Sequence, residues 1–203
     1  MKKTKLLTTL GAVALIGAIG VGSTFAYLTS ETGVVENTFT IGDVQITLDE
    51  KDITKDDGTR TVKGNAYTNL KPAETVDKDP TVHVAVNSVE SYVFMTVKGL
   101  EYEKGYLKSN YYKTDEIDEK WEHVGKDVDG NELFRYAEKV PAVEETTKNL
   151  EPLFTEVTLD SGITQDDKDA IAAAKIVIKA YAIQTEGLNE TTAAVALGLV
   201  EQQ

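Results

Sequence analysis

Ser91-Tyr92-Val93-Phe94-Met95-Thr96-Val97-Lys98 is the stretch on which the fold turns. In an extended chain Tyr92 and Phe94 share one face, and Val93, Met95 and Val97 share the other. A strand apolar on both faces belongs in the middle of a sheet covered on both sides. Upstream, Val82, Val84 and Val86 alternate with His83 and Ala85 as a half-buried strand. Thr38–Leu48 reads as strand too. Phe39 and Ile41 lie on one face, Val44, Ile46 and Leu48 continue in the opposite parity, and the flip falls at Gly42-Asp43, a bulge or tight turn.

Downstream, Trp121–Tyr136 predicts a hairpin closed near Asp129-Gly130, the dipeptide favoured in type I′ turns. Leu153–Leu159 predicts a short strand with Phe154 against Val157 and Leu159, and the β-branched run Ile176–Gln184 a long one. Asp57-Gly58 and Asn69-Leu70-Lys71-Pro72 mark a turn and a loop. Tyr102, Tyr106, Tyr111 and Tyr112 lie in a polar stretch and are expected to pack in strand or loop. Thr164-Gln165-Asp166-Asp167 fits a capping box leading into a short helix over Ala170–Lys175, and Asn189–Val200 is a second short helix. Seven to nine short strands and two short helices predict a mainly β chain, an antiparallel β-sandwich in one domain over residues 27–203.

Residues 1–26 read as an export signal, an N-terminal signal-peptide helix ahead of the sandwich. Met1–Lys5 is a basic start, Leu10–Gly22 is an unbroken run of apolar and Gly residues, and Thr24-Phe25-Ala26 supplies small residues for a peptidase. Cleavage is expected between Ala26 and Tyr27. Leu6–Gly22 falls short of the roughly 18 apolar residues that a spanning helix wants, and no basic stop-transfer cluster follows. The membrane is thus met only through the uncleaved leader, and the mature chain is secreted, to the extracellular matrix or the cell surface.

The formal net charge is −13, and loss of Lys2, Lys3 and Lys5 with the leader makes the remainder more acidic still. Such a chain has no electrostatic route to nucleic acid or an anionic membrane. With no cysteine there is no disulfide, thiolate metal site or Cys nucleophile.

A search for chemistry finds little. His83 and His123 are the only histidines and form no H-E-x-x-H motif. By parity, His83 faces away from the valines around it. No serine sits in G-x-S-x-G, and no Gly-rich phosphate loop occurs. Asp127-Val128-Asp129-Gly130-Asn131 begins like a calcium loop, but the glycine is fourth where that loop wants it sixth, so the turn reading is preferred. Asn189-Glu190-Thr191 matches a glycosylation sequon, which is set aside beside a bacterial-type leader. No catalytic residue, cofactor or metal ligand is assigned, and the chain reads as no enzyme.

Phe25-Ala26-Tyr27-Leu28-Thr29-Ser30, then Asn37-Thr38-Phe39-Thr40-Ile41-Gly42 and Val44-Gln45-Ile46-Thr47-Leu48, resemble the TasA/camelysin family. Asn69–Pro72, Ser91–Lys98 and Ala182–Leu188 extend the likeness over most of the chain. The resemblance implies a jelly-roll-like β-sandwich, exported under a SipW-type signal peptidase, that assembles into biofilm matrix fibres with itself and with an accessory matrix or anchoring protein. It also implies that the mature N-terminal segment is a strand donated to the next subunit. Here that donor is Tyr27–Asn37, with Tyr27 at its start and Leu28, Val34 and Val35 as the side chains able to fill a groove. Two other expectations stand beside this one: a monomeric secreted surface or binding module of the same fold, and a camelysin-like metallopeptidase, against which the two distant histidines argue.

Overall fold

The computed structural model describes residues 44–100, 107–109, 120–167, 169, 171 and 174–202, and the backbone of 29–33 and 36–37. The expected leader helix, the strand portion at residues 38–43 and the four tyrosines Tyr102, Tyr106, Tyr111 and Tyr112 lie outside these residues.

The chain is a mainly β, antiparallel sandwich. Its larger layer is a six-stranded sheet in the order β2-β1-β13-β7-β10-β9, formed by Glu36–Asn37, Thr29–Gly33, Val177–Gln184, Ser91–Lys98, Glu132–Tyr136 and Trp121–Lys126. Facing it are two smaller sheets. One has the order β11-β6-β3-β4, from Lys148–Asn149, Thr81–Val84, Ile46–Lys51 and Arg60–Thr61. The other is β5-β12-β8, from Thr75–Asp77, Glu156–Leu159 and Leu107–Ser109. Helix α1, Glu190–Ala196, covers the outer face of the large sheet.

β7 sits as its two apolar faces require. Val93, Met95 and Val97 enter the sandwich interior with Ile46, Val82, Val84, Phe134, Ala180 and Ala182. Tyr92 and Phe94 face the other way, against Leu133, Tyr181, Ile183, Ala193, Ala194 and Leu199. Burial of each such side chain is worth about 1.5–3 kcal/mol, so this strand ties both layers together. α1 begins where Asn189 accepts a hydrogen bond from the Thr192 amide, and the Thr192 hydroxyl accepts one from the Asn189 amide. The sequon asparagine is therefore the helix cap.

Several expected boundaries move. The strand that ends the Thr38–Leu48 stretch runs on to Lys51, because β4 pairs with Glu50 and Lys51 and carries the ladder past the apolar run. β6 stops at Val84, short of Val86, where Asn87 adopts a left-handed φ of 68°. Of Leu153–Leu159 only Glu156–Leu159 is strand. The hairpin over Trp121–Tyr136 forms, but its connection is five residues, not a type I′ turn. Gly130 has φ 81° while Asp129 does not share the positive φ that type I′ requires. Instead the Asp127 carboxylate accepts hydrogen bonds from the Asp129 and Asn131 amides and from Asn131 Nδ2, all at 2.8–2.9 Å, and these organise the loop. At Thr164 the Asp167 carboxylate reaches back to accept from the Thr164 amide and hydroxyl, the reciprocal half of the capping box, but over a 3₁₀ turn, Gln165–Asp167. Of the other expected helix, Ala170–Lys175, Ala170, Ala172 and Ala173 lie outside the described residues; Ile171 is helical but Ala174 and Lys175 are not, and among the described residues α1 is the one α-helix seen along its whole length.

Candidate functional site

The segment expected to be a donor is already a strand in this chain. β1 pairs antiparallel with β13, with Thr29 opposite Ile183, Ser30 opposite Ala182, Glu31 opposite Tyr181 and Thr32 opposite Ala180. β2 then folds back on β1, with Thr32 opposite Asn37 and Gly33 opposite Glu36. Tyr27, Leu28, Val34, Val35 and the Ala26 cleavage position lie outside the described residues. The described part of the donor is thus the backbone of Thr29–Gly33 and Glu36–Asn37, without its apolar residues.

β13 is a strand because its central run is β-branched, aromatic and small, and β7 pairs along its full length from Val177 to Gln184. Its alternate residues divide between the two cores. Ala180 and Ala182 are wholly buried in the sandwich interior, and Tyr181 and Ile183 are buried beneath α1. β1 covers Ala180–Ile183 on the side away from β7. A neighbouring strand meets β13 at this edge through its backbone, because the side chains of β13 stand on the two faces of the sheet. Main-chain pairing of this kind recognises any extended segment, and side-chain pockets must supply the selectivity.

A pocket of that kind lies close by. A cleft of about 130 Å³ opens between the start of β13 and the β3–β4 pair, with Leu48, Val62, Pro80, Ile176 and Ile178 among its walls. Its polar end is a buried ion pair between Lys78 Nζ and the Glu50 carboxylate. Asn65 Nδ2 donates to the other Glu50 oxygen at 2.9 Å and to the Lys51 carbonyl at 2.7 Å. Burial, with Glu50 adding to it, pushes the Tyr67 phenol up to about 12. Its hydroxyl donates to the Asp77 carbonyl at 2.5 Å. The Lys78–Glu50 pair escapes a reading of the sequence, although a signal exists. Glu50 shares the parity of Ile46 and Leu48, and a carboxylate on a buried face must find a partner.

The histidines sit in separate places. His83 does face away from Val82 and Val84, but it is partly covered rather than solvated. Its Nε2 lies 2.8 Å from Asp49 Oδ1 and its Nδ1 2.7 Å from Asn149 Oδ1, which links β6 to β3 and β11. Arg60 joins the same group, with Nε 2.5 Å from Asp49 Oδ1 and Nη1 2.7 Å from Asp79 Oδ2. Burial works against the Arg60 charge, but the Asp49 and Asp79 carboxylates outweigh it and raise its pKa. His123 Nε2 meets Glu132 Oε2 at 2.7 Å at the β9–β10 edge of the large sheet, on the face that carries Phe134 and Val97, and Lys126 also reaches that carboxylate. Among the described residues no group of three or more His, Asp or Glu side chains could hold a metal ion. Nor is any helix among them long and apolar enough to cross a membrane. Compared with protein-family models, curated proteins and solved structures, the chain matches none.

Proposed function

We propose that this chain is a secreted structural subunit of extracellular matrix fibres, joined head-to-tail by the mature N-terminal strand. In this reading a SipW-type peptidase cuts after Ala26, the strand within Tyr27–Asn37 leaves its own sheet, and it pairs with β13 of the next copy. The observation that supports it is the Ser30–Ala182 pairing: β13 accepts this very segment, and a second copy offers the same edge. The attachment within one chain is slight. Each net backbone hydrogen bond is worth about 1 kcal/mol, and fixing each residue costs about 1–2 kcal/mol, so a four-residue pairing comes near balance. Val34 and Val35, which separate β1 from β2 in the sequence, are β-branched, whereas two-residue hairpin connections favour Asn, Asp and Gly. Donation in one direction gives open filaments unless a ring closes. An accessory matrix or anchoring protein fits the same scheme as a nucleating end.

The experiment compares Tyr27–Gln203 with the same chain lacking Tyr27–Asn37, both concentrated and imaged. Fibres from the first alone are expected, and equal fibre formation by both rules out strand donation.

The same pairing also favours a second reading, a monomeric secreted module whose β13 edge is closed by its own β1. Light scattering across a concentration series separates the two. A constant monomer mass supports the module, and growth with concentration supports the fibre.

A further inference from the structure

The pairing of β1 with β13 ends at Thr32 opposite Ala180, because the chain folds back into β2 after Gly33. β13 itself runs on to Val177, and the cleft bounded by Leu48, Val62 and Pro80 opens beside Ile176–Ile178. The cleft thus adjoins the part of β13 that lies beyond the end of its pairing with β1.

We propose that this cleft is the anchoring pocket for Val34 of a second copy, whose N-terminal strand stays extended where β1 folds back. This rests on the strand-donation reading and adds its register. Carried on from Ser30–Ala182, the antiparallel count sets Gly33 opposite Lys179, Val34 opposite Ile178 and Val35 opposite Val177. Residues directly opposite in an antiparallel pair share a face of the sheet. Ile178 packs on the sandwich interior with Ala180 and Ala182 and lines the cleft. An extended strand in this register thus delivers the Val34 side chain to a wall of Leu48, Val62 and Ile178. Within one chain β1 pairs with β13 only as far as Thr32 opposite Ala180, so an extended strand from a neighbour adds the pairs beyond that point.

The absence of cysteine makes the register directly measurable. Mature chains carrying Val34→Cys are mixed with size-tagged chains carrying Ile178→Cys under assembly conditions and mild oxidation. A parallel mixture pairs Val35→Cys with Val177→Cys. Adjacent positions alternate between wide and narrow pairs, and the narrow pair closes a disulfide more readily. Ser30→Cys mixed with Ala182→Cys reports donation itself. Each variant is first checked for the parental circular dichroism and thermal midpoint, so a misfolded acceptor is replaced by the other pair. Mixed disulfide dimers are expected at 30/182 and at one or both of 34/178 and 35/177. Cross-linking at 30/182 with neither of the others overturns the extended register and leaves donation standing. No cross-link in any mixture overturns both.

Discussion

Ser30 stands opposite Ala182, and Ala182 stands opposite Val93 on its other side, so the N-terminal segment is one strand removed from the central strand of the fold. Whatever occupies the β1 position therefore borders the core through a single strand, whose interior side chains opposite it are Ala180 and Ala182. Removing β1 bares the main-chain groups of Ala180–Ile183 that pair with it. That is the condition under which a strand can be exchanged without unfolding its acceptor.

Proline at both Ser30 and Glu31 tests this exchange. Successive amides of a strand point to opposite sides, so one of the two replaced N–H groups faces β13, and proline removes it. Mature Ser30→Pro/Glu31→Pro is expected to lose fibre yield by at least about tenfold, measured by pelleting, while its thermal midpoint moves by no more than about 5 °C. Undiminished fibres would show that pairing at this edge is not what joins the subunits.

Gly99 ends β7 with φ 85°, and a Cβ there would stand 2.1 Å from the Lys175 carbonyl oxygen. The atoms it would meet belong to the main chain, so backbone must shift. Gly99→Ala is expected to cost about 2–4 kcal/mol in urea unfolding, from left-handed strain plus displacement of the β13 approach. Gly130→Ala shares a positive φ but meets nothing within 4 Å. Its cost should stay near 1–2 kcal/mol, about the left-handed penalty alone.

Glu132 gives a pH signature. Burial works to raise its pKa, but hydrogen bonds from His123 and Lys126 prevail and hold it below its ordinary value of 4.5. A folded pKa below the unfolded one means that the folded state favours the charged form. The stability it contributes is fully present above about 4.5 and is lost as pH falls through the lower folded value. Glu132→Gln should destabilise by about 1–3 kcal/mol at neutral pH. Its unfolding free energy should then fall less steeply than the parent's below pH 4.5, as read from urea midpoints across pH.

Asn189→Ala removes the cap of α1 and leaves the Thr192 amide without its acceptor. The expected loss is about 0.5–2 kcal/mol, with Asn189→Ser retaining most of the stability. Because α1 covers Tyr92, Phe94 and Ile183, the loss should appear in the global unfolding transition, not as fraying of the C-terminus alone.

Strands with strong side-chain patterns are legible in the sequence. Ser91–Lys98 and Val177–Gln184 appear where their two-faced or β-branched runs place them, and α1 begins at the asparagine that its sequence marks. β3 outruns its apolar pattern because Asp49-Glu50-Lys51, polar enough to read as loop, is held extended from outside. The residues that hold it are Arg60 and Thr61, which pair with it from across a turn. The Asp129-Gly130 dipeptide misleads because it signals a tight turn, whereas Asp127 four residues before Asn131 builds a wider loop from its own carboxylate.

The sequence by itself determined which strands are central and which faces they bury, because those follow from the periodicity of side chains along a local run. It also carries the expectation of a leader over residues 1–26 and of a donor segment after it. Only the tertiary structure decided where that segment goes. The pairing of Thr29–Thr32 with Ala180–Ile183 is a main-chain interaction between segments far apart in the chain, and backbone groups are the same in every sequence. The same holds for Lys78 beneath Glu50 and for the cleft they close. Each depends on two distant elements meeting, which no local pattern records.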